Sequence, residues 1–97
     1  MIYGFKLRTG FFKTQPYSLH IVNKQLILKP PENSQLHRIV ITDANVVAIS
    51  IVKSGHFIDI EINAQGGMYR GTIVDKIDFY EISNMLQQEF GRKIIVE

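Results

Sequence analysis

Residues 57–63 alternate cleanly, with Ile58, Ile60 and Ile62 set against Asp59, Glu61 and Asn63. This period of two is the signature of a strand with one buried face. Weaker versions of the pattern recur along the chain. Over residues 1–9, Phe5 and Leu7 alternate with Lys6 and Arg8. Over 17–22, Tyr17, Leu19 and Ile21 alternate with Ser18 and His20. Leu26 and Leu28 point inward within 25–29, and Ile39 and Ile41 within 37–42. Residues 46–53 are apolar on both faces, which predicts a central strand or one at an interface. In 68–74, Tyr69 and Ile73 are expected inward and Arg70 and Thr72 outward. Turn residues separate these runs. Asn23 and Lys24 make a tight hairpin, Pro30 to Ser34 can only be loop, Ser54 and Gly55 turn the chain, and residues 64–67 form a further hairpin loop. Residues 10–16 read as a loop.

The pattern then changes to a helical one. Phe79, Ile82, Leu86 and Phe90 fall on one stripe of a helix over 79–90. Asp78 and Glu81 have capping-box spacing, so Asp78 is expected to accept from the N–H of Glu81. Ile77 and Ile82 are placed for a hydrophobic staple. Gly91 is the natural stop, with Arg92 and Lys93 expected at the negative helix end. Residues 92–97 read as an extended tail rich in β-branched side chains. The predicted fold is mainly β: one domain over residues 1–97, a seven-stranded antiparallel roll or partly open barrel capped by one C-terminal α-helix.

The 97 residues suffice for a single core. The absence of cysteine excludes disulfides, thiolate metal sites and cysteine nucleophiles, and suits a cytoplasmic protein. No apolar run approaches the roughly 20 residues of a membrane helix, and the first residues do not read as a signal peptide. The net charge of +2 is unevenly spread. Residues 1–38 carry six cations against one anion, net +5, and residues 39–97 carry five against eight, net −3.

The run from Gly4 to Gly10, the segment from Tyr17 to Ile21 and the segment from Gln25 to Leu28 together resemble the opening of a pleckstrin-homology (PH) domain. That opening is a glycine-led first strand, a variable loop, an aromatic-led second strand and a short hairpin to the third. Ile39 to Val46 resembles the fourth strand and following turn of bacterial PH-like and GRAM-like domains. The strand count and closing helix extend the resemblance over residues 1–90. It implies a non-enzymatic binding module. Lipid-binding members of that family carry a Lys/Arg cluster across the first two strands. Lys6, Arg8 and Lys13 supply part of one here, but the second strand offers Ser18 and His20 instead of cations. The family usually has a tryptophan in its closing helix. This chain has none, and Phe79 or Ile82 would take that core position.

Candidate chemistry is sparse. His20, His37 and His56 lack ligand spacing, so no metal or other cofactor is expected. Asp59 and Glu61 share a strand face, which reads as solvated, and no nucleophile triad or phosphate-binding glycine loop is evident. The chain is therefore not expected to be an enzyme. The most distinctive segment is Phe11, Phe12 and Lys13, flanked by Lys6 and Arg8. Adjacent aromatics cannot both face inward on a strand. Either one or both rings are exposed beside cations, fit for an anionic membrane surface or a partner, or one ring folds over the barrel end. Ile27 and Val40 point outward on adjacent strands, as Val46 and Val52 do on the next. With the tail they suggest self-association or a protein partner. The expected role is a small binding or scaffolding module, with recognition of anionic lipid as the alternative. Nucleic acid is a weaker third, because no basic and aromatic stripe runs along adjacent strands.

Overall fold

The computed structural model describes residues 1–97. Its eight strands are β1 (Ile2–Arg8), β2 (Thr14–Val22), β3 (Gln25–Lys29), β4 (Ile39–Thr42), β5 (Val46–Ser54), β6 (Phe57–Ala64), β7 (Gly67–Ile73) and β8 (Ile94–Val96). One α-helix, α1 (Phe79–Phe90), lies between β7 and β8. The strands form one open sheet in the order β4-β3-β2-β1-β7-β6-β5-β8. Two sequential meanders, β1 to β4 and β5 to β7, are thus joined where β1 pairs with β7. All pairings are antiparallel except β5 with β8.

The eighth strand corrects the seven-strand expectation. Ile94 to Val96 lie parallel to Ile49 to Ile51, and the Glu97 N–H donates to the Ile51 carbonyl at 3.0 Å. The tail therefore supplies a neighbour for β5. Thr14 to Pro16, expected in a loop, belong to β2, because they continue the ladder opposite Lys6 to Arg8. β4 starts at Ile39. His37 lies outside it, with its carbonyl accepting from the Tyr17 hydroxyl at 3.1 Å.

The turns follow their chemistry. Asn23 and Lys24 both adopt positive φ (51° and 57°), as a two-residue hairpin with the right-handed twist of its strands requires. β5 carries an irregularity between Val46 and Ala48. Such a bulge inserts one residue and reverses the alternation. Val46, expected outward, is for this reason buried, and Val47 takes the solvent side.

The core gathers Phe5, Leu19, Leu28, Ile41, Ile49, Ile60 and Ile73 with Ile82, Leu86 and Phe90 of α1. Phe79 is only half-buried, because it stands in the first helical turn. Asp78 caps the helix, but its Oδ1 accepts from the Tyr80 N–H at 2.9 Å, not from Glu81. Gly91 ends the helix with φ 59°. Glu89 holds the far end of α1 to the β2–β3 turn by accepting from the Lys24 N–H at 2.9 Å. Lys93 does not cap the helix. Its Nζ bonds the Asp43 carbonyl and lies 3.2 Å from Asp43 Oδ1, joining the turns at 91–93 and 43–45.

Candidate binding surface

The β1–β2 hairpin ends in a tip over residues 9–13, closed by the Thr9 N–H donating to the Lys13 carbonyl at 3.0 Å. Phe11 is 87% exposed and Phe12 93%. Their rings meet edge to face with centroids 4.8 Å apart. Neither ring folds over the sheet, so of the two alternatives the exposed one holds. The physical reason is local: the hairpin closes at Thr9 and Lys13, and the intervening residues project beyond the ladder. Two rings in water at one tip are an unusual arrangement for a soluble surface.

Lys6, Arg8 and Lys13 are all exposed, but they do not form one patch. Lys13 belongs to the tip. Lys6 and Arg8 sit on the outer face of β1, where the β1–β7 pairing places other side chains beside them. Register aligns Lys6, Thr72, Asp59 and Val52 in one row across β1, β7, β6 and β5. Arg70, Glu61 and Ser50 align in the next row. Together with Arg8, Thr14 and Glu97 these residues line a groove of about 510 Å³. A shallower extension of about 290 Å³ runs past Lys6 toward Phe57 and Val74.

Two carboxylates in the groove are held by neighbours. Thr72 Oγ1 donates to Asp59 Oδ1 at 2.7 Å, and Arg70 Nη2 donates to Glu61 Oε2 at 2.8 Å. Lys6 and Arg8 make no ion pair or side-chain hydrogen bond within the chain. The groove carries Lys6, Arg8 and Arg70 against Asp59, Glu61 and Glu97, three charges of each sign. It is electrically balanced but divided, with free cations on the β1 side and carboxylates on the β6 and β8 side.

The three apolar residues expected to mark an interface also separate. Ile27 and Val40 are cross-strand neighbours on the outer face, in a row that continues through His20 to Ile2. Val52 lies across the sheet in the groove, half-buried. His20 is half-buried in the Ile2–Val40 row, and its pKa is lowered, first by burial and then by Lys29, the amino terminus and Arg38. His37 and His56 are exposed and lie outside strands. No three His, Asp or Glu side chains converge into a metal-binding group. No helix is long and apolar enough to cross a membrane.

The groove was missed by reasoning from the sequence because it depends on β1 meeting β7, a pairing between residues more than sixty positions apart. The outward positions of Asp59, Glu61, Arg70 and Thr72 were legible, but their convergence with Lys6 and Arg8 was not. No protein-family model and no curated protein matches this chain.

Proposed function

We propose that this chain is a non-enzymatic binding module whose contact element is the tip of the β1–β2 hairpin. The observation that carries the reading is the pair Phe11 and Phe12, exposed together with their rings edge to face at the hairpin tip. Such a pair gains most of its free energy by leaving water, at roughly 1.5–3 kcal/mol per ring fully buried. The opposing surface is a protein partner or a membrane interface. The exposed cation Lys13 at the same tip favours the second reading, peripheral attachment to a membrane with anionic lipid.

The test is co-sedimentation with vesicles containing anionic lipid, for the wild type and for a Phe11→Ser, Phe12→Ser double variant. The wild type is expected to pellet and the double variant to stay in the supernatant. Both substituted residues are exposed, so folding should be unchanged. Equal pelleting would remove the tip from the interaction. No pelleting of either would leave a protein surface as the target, including a second copy, and light scattering on the same pair of proteins reads that case.

A further inference from the structure

We propose that the outer-face groove over β1, β7 and β6 binds a phosphate ester that carries a primary ammonium, with the phosphate toward Lys6 and Arg8 and the ammonium toward Asp59 and Glu61. The groove is about 510 Å³, large enough for a small polar group with its hydration adjusted. Its two sides differ in what they lack. Lys6 and Arg8 are exposed cations with no acceptor in the chain. Asp59 and Glu61 each have one oxygen bonded, to Thr72 and Arg70, and a carboxylate accepts more than one hydrogen bond.

The charge layout selects the ligand. A simple anion attracted by Lys6 and Arg8 meets carboxylates on the opposite wall, and a simple cation meets the reverse. A dipolar ligand satisfies both. Strands in a sheet are about 4.8 Å apart, so β1 and β6, separated by β7, lie roughly 9–10 Å from each other. That span admits a short phosphate–ammonium dipole with one hydrogen bond at each end. An ammonium with N–H groups can donate to the carboxylates, whereas a trimethylated one cannot. The groove also adjoins the hairpin, since Arg8 and Thr14 are paired at its last rung before the tip. A headgroup seated there lies next to the hairpin tip that carries Phe11 and Phe12. The ligand is therefore an ethanolamine-type phospholipid headgroup, and this choice of source rests on the membrane reading of the hairpin.

Two measurements separate the groove from the tip. In the first, soluble phosphoethanolamine, phosphocholine and inorganic phosphate are titrated against the protein by NMR. Phosphoethanolamine is expected to shift the amides of Lys6, Asp59 and Thr72, at roughly tenfold or more lower concentration than either other probe, the factor one charge-assisted hydrogen bond supplies. Asp59→Asn, which keeps an acceptor for Thr72, is expected to erase that preference, and Lys6→Met to weaken the phosphate probes as well. Equal response to all three probes, or shifts confined to other strands, would overturn the site.

In the second, vesicles of fixed anionic fraction are compared with and without phosphatidylethanolamine replacing phosphatidylcholine. Wild-type retention is expected to rise with phosphatidylethanolamine, and that of Asp59→Asn to stay flat. The Phe11→Ser, Phe12→Ser variant should lose the vesicles and keep the soluble-probe shifts. If it pellets like the wild type, the hairpin reading fails and the groove stands. If soluble phosphoethanolamine binds but the lipid makes no difference, the ligand is a free phosphoester and the lipid assignment is wrong.

Discussion

Gly71→Ala is expected to destabilise the protein although it adds a single methyl group. Gly71 is buried on the inner side of β7. A Cβ built there would lie 2.3 Å from Phe5 Cζ, 2.5 Å from Phe5 Cε2 and 2.6 Å from the Lys6 carbonyl oxygen. Two terms compete. Alanine restricts the unfolded chain more than glycine does, which favours folding by about 0.4–1 kcal/mol where the native backbone tolerates it. Gly71 is not among the positive-φ glycines, so this term applies in full. Against it stands overpacking, typically about 1–3 kcal/mol. The upper half of that range fits, because Phe5 is 1% exposed and cannot swing away, and the third contact is the backbone of the adjoining strand. The net cost is about 1–2.6 kcal/mol, a fall in melting temperature on the order of 4–20 °C for a domain of this size. Urea unfolding measures it directly, with the slope m unchanged if two-state behaviour holds. Phe5→Leu removes the ring atoms that collide but leaves the Lys6 oxygen in place. The double variant should therefore be less destabilised than the sum of the singles by about 1 kcal/mol, a partial rescue. A Gly71→Ala protein as stable as the wild type, or strictly additive double-variant energetics, would refute the close approach of β1 and β7.

Leu86→Ala should cost about 2–5 kcal/mol, because Leu86 is fully buried between helix and sheet; denaturant titration reads it, and a loss under 1 kcal/mol would contradict the packing. His20 in the folded chain has a pKa below its ordinary value of 6.5, so the unfolded chain binds more protons between the two values. Stability is thus fully present above about pH 6.5 and falls as pH drops through that window, and His20→Gln should flatten this part of the profile. The row Ile2, His20, Ile27 and Val40 ends at β4, an edge strand, and we propose it as the surface through which copies associate. Light scattering on a Val40→Lys variant is expected to read a smaller mass than the wild type, and identical masses would exclude this row.

Local chemistry made much of this fold readable. The stripe from Phe79 to Phe90, the Asp78 cap and the Gly91 stop define the helix, since each acts within one or two turns. The Asn23 and Lys24 turn and the isoleucine face of β6 are likewise decided by neighbouring residues. What depended on distant partners was not readable. Residues 94–96 could be seen as extended, but not as pairing in parallel with β5, since a three-residue strand has no signature apart from its neighbour. The burial of Val46 hinges on one bulge, which leaves no mark in an apolar run. Adjacent Phe11 and Phe12 break the alternation, and a broken alternation does not say where both rings go. The candidate surface divides along the same line: the aromatics and cations were identifiable by type, while their separation into a tip and a groove follows from the sheet order.

That separation changes the energetics of the proposed membrane contact. Counted as one cluster, Lys6, Arg8 and Lys13 would each contribute about 1 kcal/mol at an anionic surface. Register places Lys6 and Arg8 within the groove, with Asp59 and Glu61 two strands away. An anionic surface attracts Lys6 and Arg8 and repels Asp59 and Glu61, which lie roughly 10 Å away, about one Debye length, so what it gains from the first pair it largely loses to the second. Lys13 remains, with no carboxylate paired to it in the tip. Electrostatic attraction then amounts to about 1 kcal/mol, against roughly 1.5–3 kcal/mol for each ring that leaves water. The aromatic term dominates. Vesicle binding is therefore expected to weaken only modestly when salt shortens the Debye length from about 10 Å at 0.1 M to about 3 Å at 1 M. Lys13→Gln should reduce it by no more than roughly fivefold, and loss of both rings should abolish it. A steep salt dependence, or a Lys13 variant as defective as the double phenylalanine variant, would mean that the cations act together after all and that the carboxylates of β6 do not oppose them.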